Sequence, residues 1–456
     1  MELNRTIKRQ VNKATITTIM NLVKYTSDKN LILLTHVLER VVKEDNKLVM
    51  KSIREQIKSG HPFKDYIKRI LKDTNRQYRD QIVFNLILKN FIENQRKRIK
   101  ARENGSYVPY TVLISPTMRC NLRCKGCYAG EYTTKDDLPI EEIDRIIDEG
   151  KKSGVAFFTI LGGEPFILGE MLDIYKKHND TFFQTYTNGT LINENVVEKL
   201  KKVGNVIPMI SLEGYEPETD SRRGKGTYKK IMEGMDLLRK NGIPFGNSIM
   251  VTKHNYKLAM SDKFIDMLIK KGSYVVWYFL YMPVGRKPDP KLMPTPKQRA
   301  YMRKRRDYIR NNKPIFIIDF WNDAEYVGGC IAGKEYFHIN NRGDIEPCIF
   351  THFAVDNIKG KSLKQIMDSR LFKQYRKDQP FNDNLLLPCA IIDNPDVLRK
   401  YVKKFKMKPT HPGAEKIVTD VMLMKKLDKY SKKVRKVYEP IWKIHEEVKG
   451  DTIEED

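Results

Sequence analysis

Between residues 108 and 312 the chain alternates short apolar runs with amphipathic ones six times, and this limits the fold more than any other feature. Strand candidates are 111–116 (TVLISP), 156–161 (AFFTIL), 182–187 (FFQTYT), 206–212 (VIPMISL), 246–251 (GNSIMV) and 274–281 (YVVWYFLY). Helical spacing fills 139–153, 168–178, 193–203, 227–241 and 260–271, with another helix near 296–311. Strands separated by helices and short links predict an α/β fold with a parallel sheet and crossover helices. In such folds functional groups gather at the carboxyl ends of the strands.

Three of the six cysteines follow the first strand: Cys120, Cys124 and Cys127, in SPTMRCNLRCKGCYAG. Thiolates are soft, charged donors that suit iron–sulfur clusters or zinc. Structural zinc wants a closed set of four ligands, and this run supplies three. A [4Fe–4S] cubane takes four thiolates for full ligation, so three leave one iron open to a small molecule. On spacing alone zinc stays the alternative. The remaining cysteines are Cys330, Cys348 and Cys389. Tyr336 to Ile339 and Ile345 to Pro347 predict a β-hairpin between the first two of these, turning over 340–344. In a chain of this size metal ligation is preferred to disulfides; the other reading is three buried thiols acting as small hydrophobes.

Motifs mark the other strand ends. Gly162-Gly163-Glu164-Pro165 follows the second strand and Thr187-Asn188-Gly189-Thr190 the third. Ser211 and Glu213 (ISLEG) end the fourth, with Arg222 and Arg223 just beyond. Singly, each reads equally well as a turn, a helix cap or a surface charge. Jointly, C-x3-C-x2-C with GGEP and the later segments resembles the core of radical S-adenosylmethionine (SAM) enzymes. Residues 330–348, C-x12-G-x4-C, resemble the opening of the SPASM/Twitch extension behind many such cores. The resemblance spans about 108–395. One departure stands out: the family usually has an aromatic residue just before the third cysteine, whereas here it is Gly126, and Tyr128 follows.

The resemblance implies a partial (β/α)6 TIM-like barrel as the radical SAM core, 106–312. A small α+β iron–sulfur extension, 313–395, follows it, with helical segments at both termini. Cys120, Cys124 and Cys127 would hold a [4Fe–4S] cluster whose open iron chelates SAM. Gly162, Gly163, Glu164, Pro165, Thr187, Asn188, Ser211, Glu213 and Arg223 would contact SAM; Glu164 would face its amino group, and Arg222 or Arg223 its carboxylate. Reductive cleavage would give methionine and a 5′-deoxyadenosyl radical that abstracts hydrogen from a substrate. The electron would come from an external reductant such as flavodoxin or ferredoxin. Cys330, Cys348 and Cys389 would hold an auxiliary [4Fe–4S] cluster. Its fourth site is empty, filled by substrate, or closed by Asp393, His338 or His352, and its role is electron relay or substrate holding.

The formal charge is +27, and residues 1–105 hold 24 Lys and Arg against 11 Asp and Glu. Apolar spacing at Ile16, Ile19, Met20, Val23, at Leu34, Val37, Leu38, Val41 and at Phe84, Ile87, Leu88, Phe91 makes 1–105 a helical region. Arg96-Lys97-Arg98 and Lys100, then Glu103-Asn104-Gly105, close it as a linker. Residues 396–456 are helical and basic again, with a disordered tail from 450. Such charge suits an acidic peptide or an anionic membrane surface, or it solvates helices packed on the barrel. Nucleic acid ranks last, because no aromatic-studded basic motif occurs. With no signal-peptide apolar core and no spanning apolar stretch, the expectation is a cytoplasmic protein, with peripheral membrane attachment as a variant. Peptide or protein maturation is preferred as the activity. Modification of a lipid or acyl chain, or of a small molecule, is the alternative. A non-catalytic iron–sulfur carrier or redox sensor would leave GGEP, TNGT and SLEG without a task.

Overall fold

The computed structural model describes residues 27–39, 44–129 and 137–451. The expected helical pattern at Ile16, Ile19, Met20 and Val23, the position Val41, and the tail beyond 451 lie outside the described residues. All six expected strands form: β1 (Thr111–Ile114), β2 (Phe157–Ile160), β3 (Phe183–Thr187), β4 (Val206–Ser211), β5 (Phe245–Val251) and β6 (Ser273–Leu280). They pair in parallel in chain order, and each is followed by a helix that covers the outer face. Helix Glu194–Val203 shows how sequence sets these helices. Asn193 caps its start by accepting from the Val196 amide, Gly204 ends it in the left-handed region, and Val197, Leu200 and Val203 are its buried stripe.

Four strands extend this sheet beyond the six, the outermost being Asp356–Asn357. β7 (Phe316–Asp319) joins in parallel beside β6. β8 (Tyr336–Ile339) pairs in parallel with the free edge of β1, Thr111 opposite Tyr336 and Ile114 opposite Ile339. The expected hairpin is then completed by β9 (Asp344–Glu346), antiparallel to β8. The segment after the sixth repeat is thus hydrogen-bonded into the barrel sheet, and the barrel is partial.

The two sheet faces differ. Val112, Ile114, Phe158, Val276, Tyr278 and Leu280 point outward into the main core under the helices. Leu113, Leu161 and Tyr336 point inward and form a second cluster with Ile349, bordered by Tyr128, Tyr186, Phe320 and Phe350. This alternation follows from the period-two geometry of strands.

Every described segment up to Glu103 that carries regular structure is helical, as expected. The basic run of the stretch read as a linker is helical, and only Asn104-Gly105 belong to the connection before β1. Gln95–Glu103 is a helix, and Arg98 is buried, donating to the Gly154 carbonyl at 2.7 Å and lying over the Tyr110 ring. The same pattern recurs. Arg69 donates to the carbonyls of Pro314, Ile269 and Ser273, Tyr78 to Leu200, Gln77 to Lys202 and Asn75 to Asn241. Most of these acceptors lie at the C-termini of the barrel helices, where carbonyls are unsatisfied and the helix dipole is negative. Part of the N-terminal basic charge therefore closes the floor of the barrel, opposite the strand ends that carry the motifs. At the other terminus helix Val421–Asp451 packs on helices Pro296–Asn312 and Pro395–Phe405. Among the described residues no helix is long and apolar enough to cross a membrane.

Candidate active site

The cysteine loop leaves the end of β1 and is held by the loops after β2, β3, β4 and β6. From the β2 side, the Gly163 and Glu164 amides donate to the carbonyls of Thr117 and Arg119 at 2.9 and 2.8 Å. The approach is so close that a Cβ on Gly162 or Gly163 would collide with those same carbonyl oxygens. Gly162 also has φ +110°, a conformation that favours glycine. These glycines seat the turn against the cysteine loop. After β4, the Arg222 carbonyl accepts from the Lys125 amide, and after β6 the Arg286 amide donates to the Cys127 carbonyl.

Glu164 is fully buried. Its carboxylate accepts from the Phe166 amide (3.1 Å), the Thr187 hydroxyl (2.8 Å) and the Asn188 amide (2.7 Å). Burial pushes its carboxyl up to about 7, against the pull of those donors and of Arg223. The expectation had this carboxylate facing a ligand; its oxygens join the second strand end to the third. Asn188 turns its side chain to the cysteine loop, donating to Asn121 Oδ1 at 2.8 Å and lying 3.7 Å from Cys120 Sγ. Glu213 is buried between two arginines: Arg223 donates to both its oxygens at 2.6 and 2.7 Å, and Arg222 to one at 2.6 Å. Burial resists its ionisation, but the two guanidiniums outweigh it and hold the carboxyl below the ordinary glutamate range. Arg223 Nη1 reaches to 3.9 Å from Cys124 Sγ. Ser211 pairs with Ser248 at the end of β4. Gly126 sits under the Tyr281 ring, where a Cβ would stand 2.8 Å from the ring edge, so an aromatic ring does cover this point but arrives from β6.

Cys330, Cys348 and Cys389 line one cavity of about 210 Å³, with Trp277, Phe320 and Phe350 among its walls. Burial raises all three thiols, Cys389 to about 12 with help from the Asp393 charge. The Tyr336 hydroxyl donates to Cys348 Sγ at 3.2 Å. Of the residues considered for a fourth ligand, Asp393 is committed to a fully buried ion pair with Arg299 at 2.6 Å. His338 spends one ring nitrogen on Ser115 Oγ and the other on Glu346. His352 lines a separate small cavity beside Gly285 and Ile417.

Both triads suit iron–sulfur clusters. Each set offers three soft thiolate donors, the ligand type that such clusters take. Donors are aimed at sulfur in each set, from Asn188, Arg223 and the Leu122 amide in the first and from Tyr336 in the second. An aromatic wall joins the two sets. Tyr128, next to Cys127, meets Phe350, two residues from Cys348, at a centroid distance of 5.6 Å. Phe350 touches Trp321 and Phe279, and Phe279 stacks on Trp277. Sequence reasoning missed Asn121, Tyr281, Tyr336 and Arg286; of these, only Tyr336 left a signal, sharing the inward strand face with His338.

Residues 114–265 match the radical SAM superfamily and residues 330–390 an iron–sulfur cluster-binding domain, SPASM. An AdoMet-dependent heme synthase of Methanosarcina barkeri is 23% identical over 298 residues, 59% of this chain and 85% of that protein. A serine-type anaerobic sulfatase-maturating enzyme of Klebsiella aerogenes is 30% identical over 207 residues, 41% of this chain and 50% of its own. The crystal structure of Streptococcus suis SuiB bound to precursor peptide SuiA superposes with a TM-score of 0.55 at 20% identity, covering 76% of this chain and 85% of that one. The chain is a radical SAM superfamily enzyme that carries a SPASM iron–sulfur domain and uses SAM, a [4Fe–4S] cluster and auxiliary iron–sulfur.

Proposed function

We propose that this enzyme matures a peptide or protein by radical chemistry at an unactivated C–H bond. When bound, the SAM cluster supplies a 5′-deoxyadenosyl radical. The residues around it position and shield. Cys120, Cys124 and Cys127 would hold that cluster, and Cys330, Cys348 and Cys389 the auxiliary one. Gly162, Gly163 and Pro165 offer a backbone edge beside the first triad, and Glu164 fixes that edge to Thr187 and Asn188. Arg223, held by Glu213, sets a positive charge beside Cys124, where it would meet the carboxylate of SAM. Ser211 lies at the same rim.

The observation that carries the peptide reading is the aromatic wall between the triads. Its members, Tyr128, Phe350, Trp321, Phe279 and Trp277, carry no charge. A neutral polypeptide can enter such walls. A tetrapyrrole brings several carboxylates, whose burial without cations is costly. The named activities of the sulfatase-maturating relative and the peptide-bound state of SuiB support the same substrate class. The heme synthase relative favours the second reading, maturation of a tetrapyrrole cofactor.

The test is anaerobic reconstitution followed by SAM turnover against a peptide fraction and a tetrapyrrole set, with mass spectrometry of the changed species. A mass change confined to peptides supports the proposal, and one confined to tetrapyrroles replaces it with the second reading. Absence of 5′-deoxyadenosine under strong reduction would sink both.

A further inference from the structure

We propose that the lysine seam of the C-terminal helix is the docking surface for an acidic one-electron carrier protein. In helix Val421–Asp451 the residues Leu427, Ser431, Val434 and Tyr438 are buried, at i, i+4, i+7 and i+11. Lys425, Lys429, Lys432 and Lys436 repeat that spacing two residues earlier, about 200° round the helix, and all four are exposed. Lys433 widens the seam, and these lysines line a shallow groove whose one acid, Asp428, is held by Arg399 at 2.8 Å. The groove therefore presents ammonium groups to solvent over three helical turns.

What lies beneath selects the partner. The buried seam grips the segment that carries Cys389. Val434 and Tyr438 pack on Leu386 and Leu387, and Ser431 Oγ donates to the Asp393 carbonyl. The Asp393 carboxylate in turn accepts the Cys389 amide at 3.1 Å. A protein seated on the lysines is thus about 10–12 Å, one helix diameter, from backbone that presents an auxiliary thiol. The basic groups at the other terminus are not equivalent, since Arg69 and Arg98 are spent on the barrel floor. Charge complementarity brings an acidic surface to this seam and speeds encounter. On each visit the carrier gives up one electron and departs oxidised, and this chain gains that electron on its auxiliary side. The identity of the carrier rests on the radical SAM reading; the binding itself does not.

The experiment compares the full-length holoenzyme with a variant carrying Lys425→Glu, Lys429→Glu, Lys432→Glu and Lys436→Glu. Calorimetric titration with flavodoxin is run at low and at physiological salt, beside titrations with phosphatidylserine vesicles and with polyglutamate. Wild type should bind flavodoxin with an affinity that weakens steeply as salt rises, and the variant should lose about tenfold or more. Flavodoxin-driven SAM cleavage should fall in parallel, while cleavage driven by dithionite stays at the wild-type rate. Equal flavodoxin binding by both proteins overturns the proposal, as does lysine-dependent binding of vesicles or polyglutamate without flavodoxin binding. Failure of dithionite to drive cleavage in wild type counts against the radical SAM reading and leaves the binding comparison intact.

Discussion

Arg299→Met tests how the third auxiliary thiol is held in place. Arg299 and Asp393 are both fully inaccessible to solvent, with Nη1 donating to Oδ1 at 2.6 Å. The same carboxylate accepts the Cys389 amide. Removing the cation leaves a carboxylate in a low-dielectric interior with little compensation. Breaking a buried pair from one side costs about 3–5 kcal/mol. Arg299→Met combined with Asp393→Asn removes both charges and keeps an acceptor oxygen for the amide. That pair should recover on the order of 2–3 kcal/mol of the loss, a coupling read directly from a double-mutant cycle. The assay is urea unfolding of the full chain, with iron content measured after anaerobic reconstitution. The single variant should also lose up to about four irons per chain, those of the auxiliary site, and the pair should regain them. A loss under about 1 kcal/mol for Arg299→Met, or a double variant less stable than the single, would refute this account of the ion pair.

Alanine at Cys330, Cys348 or Cys389 should remove about four irons and leave the first cluster's SAM cleavage detectable, while alanine at Cys120, Cys124 and Cys127 together should abolish it; iron analysis and 5′-deoxyadenosine release read both. Gly163→Ala drives a methyl into the Arg119 carbonyl, so it should dislodge the cysteine loop and lower iron content as far as loss of a first-triad cysteine does. Glu164 has a carboxyl raised from 4.5 to about 7 by burial, so the folded chain binds more protons than the unfolded one in that window. Its contribution is present at low pH and fades as pH rises from about 4.5 to about 7, on the order of 3 kcal/mol, in the metal-free protein; urea midpoints across that range should fall more steeply for wild type than for Glu164→Gln. Tyr336→Phe removes the hydroxyl donated to Cys348, which should make the auxiliary potential more negative in a redox titration.

The strands of the barrel were legible because apolar runs of strand length alternate with helical stripes, a signal contained in each segment. β7 was not, because FIID is only four residues long and follows the helix Pro296–Asn312 directly, with Pro314 as its one turn residue. The pairing of β8 with β1 joins residues more than two hundred positions apart, and no local pattern announces it. The triads were legible from spacing, whereas the partners of Glu164 and Arg223 were not. Which carboxylate meets which donor is decided where loops from different strands converge, so the bonds that Glu164 and Glu213 make to Thr187 and Arg223 had no local signal. Arg98 misled for a related reason: a run of basic residues reads as solvated until a carbonyl-lined floor is placed over it.

Because β8 covers the edge of β1, the barrel and its extension share a single ladder of backbone hydrogen bonds. Ending the chain after the sixth repeat would strip that cover and bare a row of unpaired amides and carbonyls beside the cysteine loop, an open template for strand addition by a neighbouring molecule. The core is thus not separable as an independent catalytic fragment: shortened forms should precipitate, and fusions or split versions must keep 336–339 on the same polypeptide to remain dispersed.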